Sequence, residues 1–373
     1  MSRPVHRYLR AQIVADLARK MVFVGGPRQV GKTRLGQSIV TDPRAYLSFD
    51  VPEDRTAILR NDLPAVDTLF FDELHHHRGW RGLLKGIFDS GRPTRHVLVT
   101  GSARLDFYRY GGDSLQGRYF HLRLHPLSFA EVGGASAGDL RTLLELSGFP
   151  EPFFGADASS ARRWSAAYRV RMVREDVASL ETITDLNKLE LLSLTLPERV
   201  GSPLSINSMR EDLGVSHPTL TRWLDVLERL YAIFRVPPFG APRLRALLKA
   251  RKHYHYDWTI VPDPAARFEN LVASHLLKWA EYQHDTQGRD VGLRYFRDVD
   301  GREVDFILTD GRRPVGAVEC KWDDAPISPG LLYFSARFPD VPAWQVSAVG
   351  KRDYISREGI RVAPAIKLLR DLV

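Results

Sequence analysis

Residues 26–33 read Gly26-Pro27-Arg28-Gln29-Val30-Gly31-Lys32-Thr33, which fits the pattern G-x-x-x-x-G-K-[ST]. A polyphosphate demands many hydrogen-bond donors in a small volume, and glycines let backbone N–H groups come close enough to supply them. Lys32 would reach the β- and γ-phosphates, Thr33 would offer a hydroxyl to Mg²⁺, and Arg34 closes the stretch assigned to the nucleotide. The second half of such a site is an acidic pair. Leu69-Phe70-Phe71-Asp72-Glu73 delivers one at the end of an apolar run, where open α/β sheets place their ligands. Asp72 is expected to hold the Mg²⁺ that accompanies ATP, directly or through water, and Glu73 to polarise the attacking water.

Three other features lie near this pair. Ser102, in HVLVTGSAR, either senses the γ-phosphate or caps a turn. Arg118, in SLQGRYF, is either a surface arginine or a finger that reaches the ATP of a neighbouring subunit. His75, His76 and His77 are consecutive. Three neighbouring side chains splay around a helix or loop, and the usual metal-ligand spacings are absent, so a structural or solvent-facing role is expected.

A second constellation stands in REVDFILTDGRRPVGAVECKW, residues 302–322. Two strand-like runs flank a Gly-containing turn, and successive side chains of a strand alternate faces. Ala317, Glu319 and Lys321 therefore share one face, with Asp305 on the partner strand. Two carboxylates beside an ammonium either hold a metal for phosphodiester chemistry or form a polar strand edge of little consequence.

These residues need particular elements to position them. MVFVGG (21–26) is a short apolar strand and GKTRLGQSIV opens a helix, which is the context the phosphate loop requires. AYLSFD (45–50), DTLFFDE (67–73), HVLVTGS (96–102) and YFHLRLHP (119–126) are further strands with helical stretches between most of them. The expected fold class is α/β, with a mostly parallel sheet covered on both faces. Residues 127–200 read as mainly helical. Residues 204–236 give a helix–turn–helix followed by a strand, with Leu220, Trp223, Leu224 and Leu227 at core spacing. His217, Thr219, Thr221 and Arg222 are then left at the start of the second helix, where such motifs touch base edges. Arg243, Arg245, Lys249, Arg251 and Lys252 could follow phosphates. The alternative is a protein-docking piece or a lid. FENLVASHLLKWAEY (268–282) has a helical apolar period.

The chain has 373 residues, a net charge of +8 and one cysteine, Cys320. The length allows two or three domains. The charge permits an anionic partner such as nucleic acid, and a single cysteine excludes an internal disulfide and fits a reducing compartment. No apolar run reaches membrane-span length, and the first twenty residues contain no apolar core of signal-peptide size. The expectation is a cytoplasmic protein without a membrane partner.

GPRQVGKT, FFDELH, VTGSAR, QGRYFHLRLHPLSFAE, SGFPE and the closing FEN, EVDF and VECK segments together resemble one family. It is that of the prokaryotic AAA-type ATP-binding proteins whose C-terminal half pairs a winged helix with a fold similar to PD-(D/E)xK nucleases. The resemblance covers nearly the whole chain. The early strand AYLSFD, lying between the two nucleotide motifs, matches the P-loop branch with an inserted strand. The resemblance implies an AAA-like ATPase core over 1–135, a helical region or lid over 136–200, a winged helix over 201–245 and a nuclease-like α/β domain over 246–373. It further implies ATP and Mg²⁺ as cofactors, a homo-oligomer such as a hexameric ring, and DNA as partner. In nucleases of that fold two carboxylates bind Mg²⁺ and the lysine positions the water. Asp305, Glu319 and Lys321, with Glu269 on the preceding helix, would supply a second divalent-metal site. Three functions follow as alternatives: an ATPase acting on or with DNA, an ATP-gated nuclease, or a protein-remodelling switch.

Overall fold

The computed structural model describes residues 5–90, 96–101, 115–177, 185–240 and 251–373. The chain divides into two compact units, Met1–Pro126 and Leu127–Val373. Ser102, Arg243, Arg245 and Lys249 lie outside the described residues.

In the first unit α1 (Arg10–Leu17) precedes β1 (Met21–Gly25), and α2 (Lys32–Gln37) follows it. Then come β2 (Tyr46–Ser48), α3 (Pro52–Arg60), β3 (Thr68–Asp72), α4 (Trp80–Asp89), β4 (His96–Thr100) and β5 (Tyr119–Arg123). The five strands form one sheet in the order β2-β3-β4-β1-β5, with every pairing parallel. β1, β3 and β4 are nearly continuous apolar runs, as strands covered on both faces must be. Phe23, Leu69, Phe71, Val97 and Val99 pack with Trp80 and Leu84 of α4 on one face of the sheet. The AYLSFD run, expected as the inserted strand, is β2 at the sheet edge, and the strand that lies between β1 and β3 is β4. Because the pairs are parallel, Asp72 aligns with Thr100 and with Ser48, and Val24 aligns with Thr100. The end of β1 that opens the phosphate loop and the acidic end of β3 thus lie along one edge.

The second unit starts with α5 (Ala137–Leu146), α6 (Pro150–Gly155) and α7 (Ala158–Arg171), as the helical reading of this stretch requires. α8 (Leu186–Thr195), α9 (Ile206–Leu213) and α10 (His217–Arg229) are followed by the antiparallel pair β6 (Ile233–Val236) and β7 (Lys252–His255). Ser216 caps α10 through the Thr219 N–H at 3.2 Å, and Pro218 sits in its first turn. Leu220, Trp223, Leu224 and Leu227 are buried, as their spacing demands. α11 (Pro264–Gln287) leads into a mixed six-stranded sheet: β8 (Val291–Arg297), β9 (Glu303–Asp310), β10 (Arg313–Lys321), α12 (Pro329–Arg337), β11 (Ala343–Ser347), β12 (Tyr354–Ile355) and β13 (Arg361–Pro364), closed by α13 (Ile366–Leu369). Its order is β12-β13-β11-β10-β9-β8, with β8, β9 and β10 antiparallel and β10, β11 and β13 parallel. The β6–β7 pair spans residue 245, where a domain boundary was expected. No helix among the described residues is long and apolar enough to cross a membrane.

β7 is buried along its whole length although it reads Lys-His-Tyr-His. The His253 Nε2 lies 2.8 Å from the Leu196 carbonyl. Burial pulls the His253 pKa from its ordinary 6.5 down to about 4, and that of His255 well below the ordinary value. Both rings are neutral when folded but take up protons when unfolded. At these two positions the unfolded chain binds more protons, so the histidines' contribution to stability falls as pH drops below about 6.5, that of His253 levelling off beneath about 4. His253 alone is worth on the order of 3 kcal/mol across this window. Glu269 and Glu319, whose pKa values are raised, act with the opposite sign over the same range, so the histidine contribution is read by difference. Between pH 7 and pH 4.5 the change in urea-unfolding free energy should be less unfavourable in His253→Gln than in the wild type.

Candidate functional site

At the phosphate loop the backbone conformation explains the glycines. Gly26 has φ +135°, and a Cβ there would lie 2.3 Å from the Leu124 carbonyl oxygen. Gly31 has φ +99° and is the residue before α2. Gln29 also adopts a left-handed φ, of 61°. Pro27, Arg28 and Val30 fill the loop, with Val30 buried and Arg28 exposed, and Arg34 continues α2. The Lys32 ammonium is buried and donates to the carbonyls of Gly26 at 2.9 Å and Pro27 at 2.7 Å, which holds it across the loop.

Asp72 collects three hydroxyls. Thr33 Oγ1 donates to Oδ2 at 2.7 Å, Thr100 Oγ1 to Oδ1 at 2.5 Å and Tyr46 to Oδ2 at 3.2 Å. Burial, and then the Asp72 charge, push the Tyr46 pKa up to about 12, so its hydroxyl remains a donor. Thr33 and Asp72 are adjacent hard oxygen donors, which suits the Mg²⁺ of a Mg-nucleotide. Glu73 has φ 53°, an uncommon conformation for a non-glycine residue. Its N–H donates to the Thr100 carbonyl at 3.0 Å, and that bond holds the turn. The turn throws the Glu73 side chain off the strand line. His75, whose side chain is fully buried, puts Nδ1 3.3 Å from Glu73 Oε2. His76 pairs with Asp50 at 2.9 Å. The sequence had suggested that these histidines diverge. The left-handed turn instead brings ligand atoms of Glu73, His75 and His76 within 4.8 Å of one another.

Arg118 forms an ion pair with Asp89, at 2.8 and 3.0 Å. It precedes β5, and Tyr119 aligns with Met21 at the start of β1. Arg118 therefore stands at the sheet edge opposite its own phosphate loop.

The second constellation also comes together. Glu269 lies on α11, Asp305 on β9, and Glu319 and Lys321 on β10. Lys321 Nζ is 2.8 Å from Glu319 Oε1, the Asp305 N–H donates to Glu319 Oε2 at 3.3 Å, and the Cys320 N–H donates to Asp305 Oδ2 at 2.9 Å. Three residues that the sequence does not assign to this cluster, Tyr254, Lys252 and Glu303, complete it. The Tyr254 hydroxyl donates to Glu269 Oε1 at 2.7 Å. Lys252 Nζ lies 2.6 Å from Glu303, 3.3 Å from Asp305 and 3.4 Å from Glu269. Burial, with the Asp305 charge, pushes the Glu269 pKa up to about 8 and that of Glu319 to about 7. Burial works against the Lys252 ammonium, but Glu269, Asp305 and Glu303 outweigh it and its pKa is raised. Lys252 was expected to track phosphates; it is buried, because β7 turns it into the unit rather than outward. Arg251 is half-buried.

On α10, His217 and Arg222 are exposed while Thr219 and Thr221 are half-buried. Thr221 Oγ1 donates back to the His217 carbonyl at 2.9 Å, and the Thr219 hydroxyl meets that of Ser216 at 2.8 Å.

Residues 18–133 match a family model described as an AAA domain. Residues 137–264 and 265–365 match two domains of unknown function, DUF8612 and DUF4143. With its parallel sheet and inserted strand, the N-terminal unit has the fold of an AAA-type P-loop ATPase. The chain is 23% identical over 327 residues to an uncharacterized protein of Haemophilus influenzae, covering 76% of this chain and 78% of that one. An uncharacterized protein of Mycobacterium tuberculosis is 24% identical over 226 residues, 59% of this chain and 50% of its own length. Among solved structures, the Aeropyrum pernix ORC1 protein in complex with DNA aligns with TM-score 0.32 and 14% identity, over 72% of this chain and 93% of that one. The Bacillus subtilis DNA clamp loader delta protein aligns with TM-score 0.27 and 11% identity, over 64% and 90%.

The Gly26 geometry yields a sharp expectation. A methyl group at position 26 meets backbone, which cannot swing aside, in a conformation that itself costs roughly 1–3 kcal/mol for a side-chain-bearing residue. In Gly26→Ala the rise in Tm that Mg-ATP gives the wild type should vanish, as read by calorimetric melting with and without nucleotide.

Proposed function

We propose that the protein binds Mg-ATP and hydrolyses it, and that it acts on or with DNA. The convergence of Lys32, Thr33 and Asp72 beneath one loop is the observation that carries the reading. Loop N–H groups and the Lys32 ammonium meet the phosphate charge, while Thr33 and Asp72 hold the Mg²⁺ that arrives with the nucleotide. Glu73 polarises the attacking water, and buried His75 fixes the position of that carboxylate. Arg118, far from its own loop, serves the site of a neighbouring copy as an arginine finger in a homo-oligomer. The helical array ending in α10 and the β6–β7 pair is a winged helix. Its exposed His217 and Arg222, with Thr219 and Thr221, are the groups offered to DNA, and the net charge of +8 favours such a partner.

Lys32→Ala should abolish nucleotide binding by calorimetry. Glu73→Gln should keep binding but lose turnover by about 100-fold or more. Wild-type turnover in Glu73→Gln would remove Glu73 from its role. Single-stranded, duplex or branched DNA should stimulate ATP hydrolysis; a rate indifferent to all three would leave an ATPase whose partner is not DNA. Arg118→Ala should retain nucleotide affinity and lose turnover at saturating ATP, and an unchanged rate would reject the finger.

A further inference from the structure

We infer that Lys252 is the resident cation of the carboxylate pocket in the second unit, standing where a second divalent metal was expected. The Lys252 side chain is 1% exposed. Its ammonium lies between Glu303, Asp305 and Glu269, at 2.6, 3.3 and 3.4 Å. A small divalent cation needs about six oxygen ligands at roughly 2.0–2.1 Å, several free to turn toward it. Here most of the carboxylate oxygens have donors of their own. Asp305 accepts from Lys252 on Oδ1 and from the Cys320 N–H on Oδ2. Glu319 accepts from Lys321 on Oε1 and from the Asp305 N–H on Oε2. Glu269 Oε1 accepts from Tyr254 and Lys252, and its Oε2 abuts Gly201, where even a Cβ would come within 2.9 Å.

The lysine is also fixed from behind. The Asn270 amide holds both the N–H and the carbonyl of His255, at 2.8 and 2.7 Å, and so ties β7 to α11. Lys252 and Glu269 are set against each other by this clamp. The donor set consequently does not fit a bound divalent ion while Lys252 is present, and the nuclease-like constellation is a latent metal site held shut by an ammonium. Removing the ammonium leaves buried carboxylates without their counter-charge, which a divalent ion can then supply.

The test is Mn²⁺ binding by the full chain, followed by electron paramagnetic resonance without nucleotide. In the wild type, Asp305→Asn should leave the number of bound ions unchanged. Lys252→Met should gain about one Mn²⁺ per chain, and Lys252→Met/Asp305→Asn should lose it again. A wild-type ion that disappears in Asp305→Asn overturns the proposal, and so does a folded Lys252→Met that gains none. If Lys252→Met does not fold, Lys252→Gln takes its place, and the wild-type comparison with Asp305→Asn stands independently. Wild-type protein should leave single-stranded, duplex and branched DNA intact in Mg²⁺ or Mn²⁺; metal-dependent cleavage lost in Asp305→Asn would equally overturn it.

Discussion

One buried carboxylate holds the nucleotide-binding edge of the first unit together. Asp72 ends β3, and Thr33, Thr100 and Tyr46 reach it from α2, β4 and β2. An ionised carboxylate away from water costs several kcal/mol unless its lone pairs are met. Three hydroxyls meet them, and each comes from a different element. The parallel pairing brings Asp72 and Thr100, which end β3 and β4, to one level, while Tyr46 reaches along from the first residue of β2, level with Phe70. The arrangement also depends on β4 lying between β1 and β3. Two strand spacings, about 10 Å, separate the loop that follows β1 from the acidic end of β3. The first turn of α2, through Thr33, spans that gap.

The second unit meets the same physical problem differently. Glu269, Glu303, Asp305 and Glu319 crowd together, and all but Glu303 are largely buried. Hydroxyl donors cannot neutralise four carboxyl groups, so the charge is balanced by two ammoniums and by raised pKa values on Glu269 and Glu319. At Asp72 the acceptor is left in the company of neutral groups that can turn toward a cation. At the second cluster a cation is already part of the chain. Similar residue types therefore give one site open to a metal-bound ligand and one closed to it.

How much of this could be read in advance follows from how local each feature is. The phosphate loop is eight consecutive residues whose conformation is set by Gly26 and Gly31, so it was fully legible. Asp72 and Glu73 were legible because an acidic pair after an apolar strand is a positional signal. Thr100 and Tyr46 were not, because their meeting with Asp72 depends on strand order, which no local pattern carries. Glu269, Asp305, Glu319 and Lys321 were found by their order along the chain and by resemblance. Lys252 was misassigned for a physical reason. It follows a basic run and belongs to a strand buried on both faces, so alternation gave no hint that its ammonium points inward. His75 was missed as a partner of Glu73 because the left-handed turn at Glu73 breaks the expected splay.

The position of Lys252 also bears on where the second unit can be divided. β7 begins with Lys252, which pairs with Val236 of β6 while its side chain enters the carboxylate cluster. Just beyond β6 the chain bonds again to the large sheet: the Phe239 N–H donates to the Tyr295 carbonyl at 2.7 Å and the Tyr295 N–H to the Pro237 carbonyl at 3.1 Å. The helical array and the six-stranded sheet thus share backbone hydrogen bonds at residues 237–239, while β7 is tied to α11 through the Asn270 amide. A hairpin bonded this way cannot shift against α11 without disturbing Asn270, and then Lys252 and Glu269. α10, the β6–β7 pair and the carboxylate cluster thus belong to one compact unit, tied together through Asn270 and Lys252.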